Sequence, residues 1–162
     1  MHPTGSKPKL ELTTPSDREI VMARAFDKPR TLVFEAFTKP EHLQRWLLGP
    51  DGWSMPICEV DLRPGGAFRY VWRNDADGRE FGLLGTYREL VPPERIVHVE
   101  RFDDPAMPGD AQVTTTFVER GSTTTVTMTI LYESKDVRDM ALESGMDRGV
   151  SASFDRLAGI LE

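Results

Sequence analysis

The sequence predicts an α+β domain: one strand, two short helices, about six further strands and a long terminal helix. Three observations carry this. From Ile57 to Glu133, apolar residues recur at a period of two, the spacing of strands. The connections between those segments are mostly short and carry turn residues, which favours antiparallel pairing. Finally, Met146, Val150, Phe154, Leu157 and Leu161 recur at three and four, the stripe of an amphipathic helix.

Residues 1–18 are rich in Pro, Thr, Ser and Lys without periodicity, and read as a mobile tail before a single domain over 19–162. In "EIVMARAF", Ile20, Met22, Arg24 and Phe26 share one face of a strand. Pro29 suits a first helical turn, Asp27 offers a cap, and Val33, Ala36 and Phe37 follow at helical spacing. "TKPEHLQRWL" repeats that logic. Thr38 and Glu41 form a capping-box pattern, and Leu43, Trp46 and Leu47 share a face. "GPDGW" breaks the helix.

"ICEVDLR" and "GAFRYVWRN" are the next strands, and "DADG" is a hairpin turn because Gly and Asp tolerate positive φ. "EFGLLGTYREL" follows. Pro92 and Pro93 cannot donate to a central ladder and mark a turn. After "RIVHVERF" and the Pro/Gly loop "DDPAMPGDA", the segments "QVTTTFVE" and "TTTVTMTILYE" flank "RGS" as a last hairpin. A turn or two of helix over 136–143 precedes the terminal helix, with Ser144 and Asp147 a weaker capping pair. Gly145 and Gly149 flank Met146. They mark either the helix entry and a tolerated exposed site, or room for a ligand or a close backbone approach.

Net charge is −6 and the basic residues are scattered among acids. Nucleic acid needs a clustered basic surface, and a membrane-binding patch needs a polybasic run, so neither partner is expected. No apolar run approaches the roughly 18–20 residues of a spanning helix. The first residues also lack the apolar stretch of a secretory signal. Cys58 is the one cysteine, which excludes an internal disulfide and a thiolate cluster and reads as a small core residue. His2, His42 and His98 have no metal-ligand spacing, and no hydrolase or phosphate-loop motif is present. The expectation is a cytoplasmic protein with no metal, no cofactor and no catalytic motif.

The stretches "FDKPRTLVFEAFTKPEHLQRWLLGP", "DLRPGGAFRY", "DGREFGLLGTYRELVPPERIVHVERF" and "SGMDRGVSASFDRLAGIL" carry a resemblance in order over about residues 19–161. The chain resembles the family named for its similarity to the activator of a heat-shock-protein ATPase, within the START-like (SRPBCC, helix-grip) superfamily. The resemblance implies a helix-grip fold like that of the birch-pollen allergen: a curved antiparallel sheet around a long C-terminal helix, with a cavity between them. It implies binding of lipids, sterols, polyketides or other apolar ligands. The matching words are turns, caps and packing positions, so no catalytic residue is carried over.

The residues then suggest where such a ligand would sit. Phe68, Tyr70 and Trp72 share one strand face, and Phe81, Leu83 and Tyr87 share that of the next. Trp46 and Trp53 are placed to close the mouth. Phe102, Met128, Tyr132, Met146, Val150 and Phe154 are further candidates to line the cavity. The alternative is plain core, because burying each ring is worth about 4–6 kcal/mol as an upper bound. His98 and Glu100 share a face with Ile96 and Phe102. They point either inward, as ligand anchors or an acid–base pair, or outward into solvent, with Val97 and Val99 inside. Arg24 is an inward counter-charge or an exposed strand-edge residue.

The leading expectation is a non-catalytic binding protein for a small apolar molecule. One alternative is an enzyme that uses His98 and Glu100. Another is an interaction protein acting on a chaperone ATPase. A homodimer through a strand edge is a further partner that the sequence allows.

Overall fold

The period-two segments form one eight-stranded antiparallel sheet, and the chain wraps its helices over one face of it. The computed structural model describes residues 8–105 and 107–161. In chain order the elements are β1 (Glu11–Thr13), β2 (Glu19–Phe26), α1 (Arg30–Thr38), α2 (Pro40–Trp46), β3 (Trp53–Val60), β4 (Ala67–Asn74), β5 (Glu80–Val91) and β6 (Arg95–Phe102). Then come β7 (Ala111–Arg120), β8 (Thr123–Leu131), α3 (Lys135–Glu143) and α4 (Met146–Leu161). The sheet order is β1-β2-β8-β7-β6-β5-β4-β3. The curved sheet and its C-terminal helix are the expected α+β helix-grip architecture.

Of the segment read as a tail, residues 1–7 lie outside the described residues. Glu11–Thr13 form β1, which pairs with Val21–Ala23. Three residues are too few for periodicity to register. In β2 every second residue is buried, with Ile20, Met22, Arg24 and Phe26 facing the helices.

The helix starts differ from the capping patterns. Thr38 ends α1, and its Oγ1 donates back to the Phe34 and Glu35 carbonyls at 3.0 and 3.3 Å. Extended Lys39 is the N-cap of α2, with Pro40 following it. The expected Thr38–Glu41 box is therefore absent, because Thr38 still belongs to the preceding helix. Pro29, not Asp27, is the N-cap of α1. Likewise Ser144 closes α3 and does not open α4: its Oγ donates to the Ala141 carbonyl at 2.6 Å. The chain reverses at Gly145, whose φ of +83° an L side chain rarely adopts. At Gly149 an added Cβ would meet nothing nearer than Pro50 Cδ at 3.8 Å, so no close backbone approach requires a glycine there.

The largest buried side chains gather where α1, α2 and α4 meet. Half-buried Phe37 packs tilted against Trp46 and edge-on against Phe117 at 4.8 and 5.2 Å, and Phe154 reaches Phe26 and Trp46 at 5.7 and 5.9 Å. Each such pair contributes about 0.5–1.5 kcal/mol beyond burial. Trp46 is 1% exposed and donates Nε1–H to the Ala36 carbonyl at 2.8 Å. Trp46 and Phe154 are thus core, and Trp46 does not close a mouth as expected.

Polar clamps fix α3 and α4. Ser153 Oγ accepts from the Gly49 amide at 2.8 Å, and Arg156 Nη1 donates to the Trp46 and Gly49 carbonyls at 3.2 Å each. Buried Arg138 donates to the Ser16 carbonyl at 2.8 Å, tying α3 to the segment before β2.

Candidate functional site

Strand register decides which side chains meet. Tyr87 lies opposite His98, and His98 opposite Val113. Phe68 lies opposite Gly85, Gly85 opposite Glu100, and Glu100 opposite Ala111. Directly opposed residues share a face. His98 and Glu100 therefore lie on the inner face with Phe68, Tyr87 and Val113, and Val97 and Val99 lie on the outer one.

Gly85 makes this floor possible. Its place opposite Phe68 lets that ring lie flat across the strand, where a Cβ would overlap the ring atoms. The ring then sits 4.8 Å from Tyr70, 5.3 Å from Tyr87 and 5.0 Å from His98, edge-on to the imidazole. His98 Nε2 and Glu100 Oε1 are 2.7 Å apart. A carboxylate only accepts, so the imidazole donates. The two side chains are 15% and 18% exposed, although both face the interior.

That partial exposure coincides with a division in the core. Buried apolar residues form one cluster around the aromatic rings. A second cluster surrounds Ile20, Met22, Val113, Ile130, Tyr132 and Ala141. Half-buried Met128 and Val150 touch both. By register, His98 and Glu100 stand between the Phe68–Tyr87 side and the Ala111–Val113 side.

Tyrosine hydroxyls complete the polar floor. Burial raises the Tyr70 hydroxyl well above the usual tyrosine range, with Tyr87, Cys58 and the Glu100 charge adding to it. Burial pushes Tyr87 up to about 12, and a hydrogen bond shared with Tyr70 partly opposes the shift. Tyr132 is raised by burial and then by Glu100, and its hydroxyl donates to Met146 Sδ at 3.5 Å. Cys58, opposite Tyr70 and half-buried, borders this group. Burial first, then Glu41 and Glu59, pushes its thiol up to about 11, so it is a poor nucleophile.

The other expected residues lie around this floor. Trp72 donates Nε1–H to the Leu47 carbonyl at 2.7 Å and stacks on Phe81 at 5.1 Å. Trp53 and Phe102 pack on Phe81 at 5.4 and 6.2 Å, and Leu83 is buried between Tyr70 and Phe102 in the ladder. Met146 and Val150 are half-buried on α4.

Arg24 is 6% exposed, not the exposed edge residue the sequence allowed. Its guanidinium lies 4.7 Å over Phe26, and Nη2 reaches Asp155 Oδ1 at 3.3 Å. Nε and Nη1 have no hydrogen-bond partner among the described residues. Desolvation lowers its pKa, with Asp155 opposing. Arg24 pairs with Val126 and through it with Phe117, six positions of β7 from Ala111, the partner of Glu100. Arg24 is therefore not the counter-charge of Glu100.

A depression of about 560 Å³ is lined by Leu84, Thr86, Val99 and the charged Glu59, Arg69, Arg88, Arg101 and Asp110, and also by Phe68, Gly85 and Glu100 of the same strands. Among the described residues, no three His, Cys, Asp or Glu side chains are grouped to hold a metal ion. No described helix is long and apolar enough to cross a membrane.

A curved antiparallel sheet with a C-terminal helix across its inner face defines a START-like helix-grip protein. Within that class, the chain belongs to the family described as activator of Hsp90 ATPase homolog 1-like protein, whose model matches residues 27–162. A crystal structure of a Rhodobacter sphaeroides protein is similar at 27% identity and a TM-score of 0.88, covering 94% of this chain and 97% of that one. A Chromobacterium violaceum protein is 28% identical with a TM-score of 0.78, covering 90% of this chain and 97% of its own. A Mycobacterium smegmatis protein shares the fold at 20% identity and a TM-score of 0.84, covering 96% and 98%. No curated protein matches the chain.

Proposed function

We propose that the protein binds a small, largely apolar molecule between the inner sheet face and α4, over Phe68, Tyr70, Tyr87 and Phe102. The observation that carries this is the placing of His98 and Glu100. They face inward yet keep 15% and 18% exposure, between two apolar clusters bridged by half-buried Leu10, Met128 and Val150. An apolar wall with a few convergent polar groups is the usual make-up of a small-molecule site. The test is native mass spectrometry and tryptophan-emission titration with a panel of lipids, sterols and aromatic polyketides. Saturable one-to-one binding is expected; silence across the whole panel overturns the proposal.

A second reading is acid–base chemistry on such a molecule, favoured by the 2.7 Å contact between His98 and Glu100. Recovery of a bound ligand chemically unchanged after long incubation counts against it.

A further inference from the structure

The inner floor is rich in acceptors and poor in cations. Glu100 offers a carboxylate, of which one oxygen takes the His98 N–H. The Tyr70 and Tyr87 hydroxyls lie close enough to shift each other's pKa. Among the described residues the Tyr132 hydroxyl donates to the Met146 sulfur at 3.5 Å, and a thioether is a weak acceptor. The charge of Glu100 is felt at both Tyr70 and Tyr132. Among the described, shielded residues of the inner strand face, the guanidinium is that of Arg24. It lies in the row of Val126 and Phe117, whereas Glu100 lies in the row of Ala111. Six positions of β7 separate those rows, roughly 20 Å at about 3.4 Å per residue. Buried Arg138 of α3 reaches the Glu19 carbonyl, one register row from Glu100, but is committed to Asp139 and to the Ser16 carbonyl. A ligand carboxylate at Glu100 would thus meet a like charge with no uncommitted guanidinium among the described residues beside it on the inner face.

From this we infer that the polar end of the ligand is a hydroxyl group, as in a phenol or a ring alcohol, and not a carboxylate. A hydroxyl donates to the second Glu100 oxygen and can accept from Tyr132 in place of the methionine sulfur. A carboxylate can do only the latter. The inference rests on the binding reading above and adds the chemical class of the ligand's head.

Calorimetric titration at neutral pH with naphthalene, 2-naphthol and 2-naphthoate tests it, because the three share a ring system and differ in the head. The expected order is naphthol tightest and naphthoate weakest. Naphthol should lead naphthoate by about 10- to 100-fold, the usual yield of one hydrogen bond to a charged group. Glu100→Gln removes the charge and should shrink that ratio by about tenfold or more, with circular dichroism checking that the variant is folded. Naphthoate binding as well as or better than naphthol in the wild-type protein overturns the inference, whatever the variant does. So does a ratio that a folded Glu100→Gln protein leaves unchanged. Binding of naphthalene without head-group preference removes this inference and spares the binding reading, whereas absence of binding by all three removes both.

Discussion

Replacing Gly85 by alanine adds one methyl group at the centre of the candidate floor. Gly85 adopts an ordinary strand conformation without positive φ, so backbone strain does not enter and sterics alone set the outcome. The new Cβ would overlap the Phe68 ring, which is 3% exposed and held by Tyr70, Tyr87 and His98. The ring cannot move without displacing them. Overpacking of this kind costs about 1–3 kcal/mol, and expulsion of a buried phenylalanine costs about 3–5. Alanine's advantage over glycine in a strand offsets about 0.5–1 kcal/mol. The net expectation is a loss of about 2 kcal/mol. With a urea slope of about 2 kcal/mol/M, the unfolding midpoint should fall by about 1 M. Adding Phe68→Leu to Gly85→Ala should recover part of the loss, because leucine vacates the overlapped volume. A Gly85→Ala midpoint within about 0.3 M of wild type, or above it, would refute the placing of the Phe68 ring over Gly85.

Two further changes test other parts of the structure. Arg24→Met removes a buried guanidinium with two unpartnered nitrogens and one 3.3 Å contact to exposed Asp155. Because hydrophobic replacement of such a group is often neutral or stabilising, the melting temperature should hold or rise by a few degrees, about 1 kcal/mol; a fall of several degrees contradicts this. The three tyrosines of the chain are all raised above their ordinary value, Tyr87 to about 12. Their contribution is fully present below the unfolded value of about 10 and is lost as pH rises through the folded values. Tyrosinate absorbance should therefore appear together with unfolding in alkaline titration, and a tyrosine that ionises near pH 10 with the fold intact would contradict the burial.

Much of this molecule is legible in its residues, and the illegible parts share a physical cause. Alternation alone places Phe68, Tyr70 and Trp72 on one face, because polar Arg69 and Arg73 mark the other. In β6 both parities carry apolar residues, so no local rule chooses between them. The choice is made by pairing of His98 with Tyr87 and Val113. Trp46 shows the same limit: helical spacing gives its face but not its partners, and α4 arrives from more than a hundred residues away to bury it. The polar clamps Ser153, Arg138 and Arg156 leave no trace in the sequence because their partners are backbone carbonyls and amides. Cys58 reads from sequence as simple core, and its position opposite Tyr70 brings it to the floor.

The position of the polar pair also bears on what the fold is for. Apolar replacement of a shielded, hydrogen-bonded polar pair of side chains is frequently neutral or favourable. Stability alone therefore does not call for a carboxylate between Phe68 and Ala111. The ring-on-glycine contact at Phe68 and Gly85 further commits an unusual local geometry to the same spot. Two departures from the simplest apolar interior therefore converge on one stretch of the inner face, around Phe68, Gly85 and Glu100.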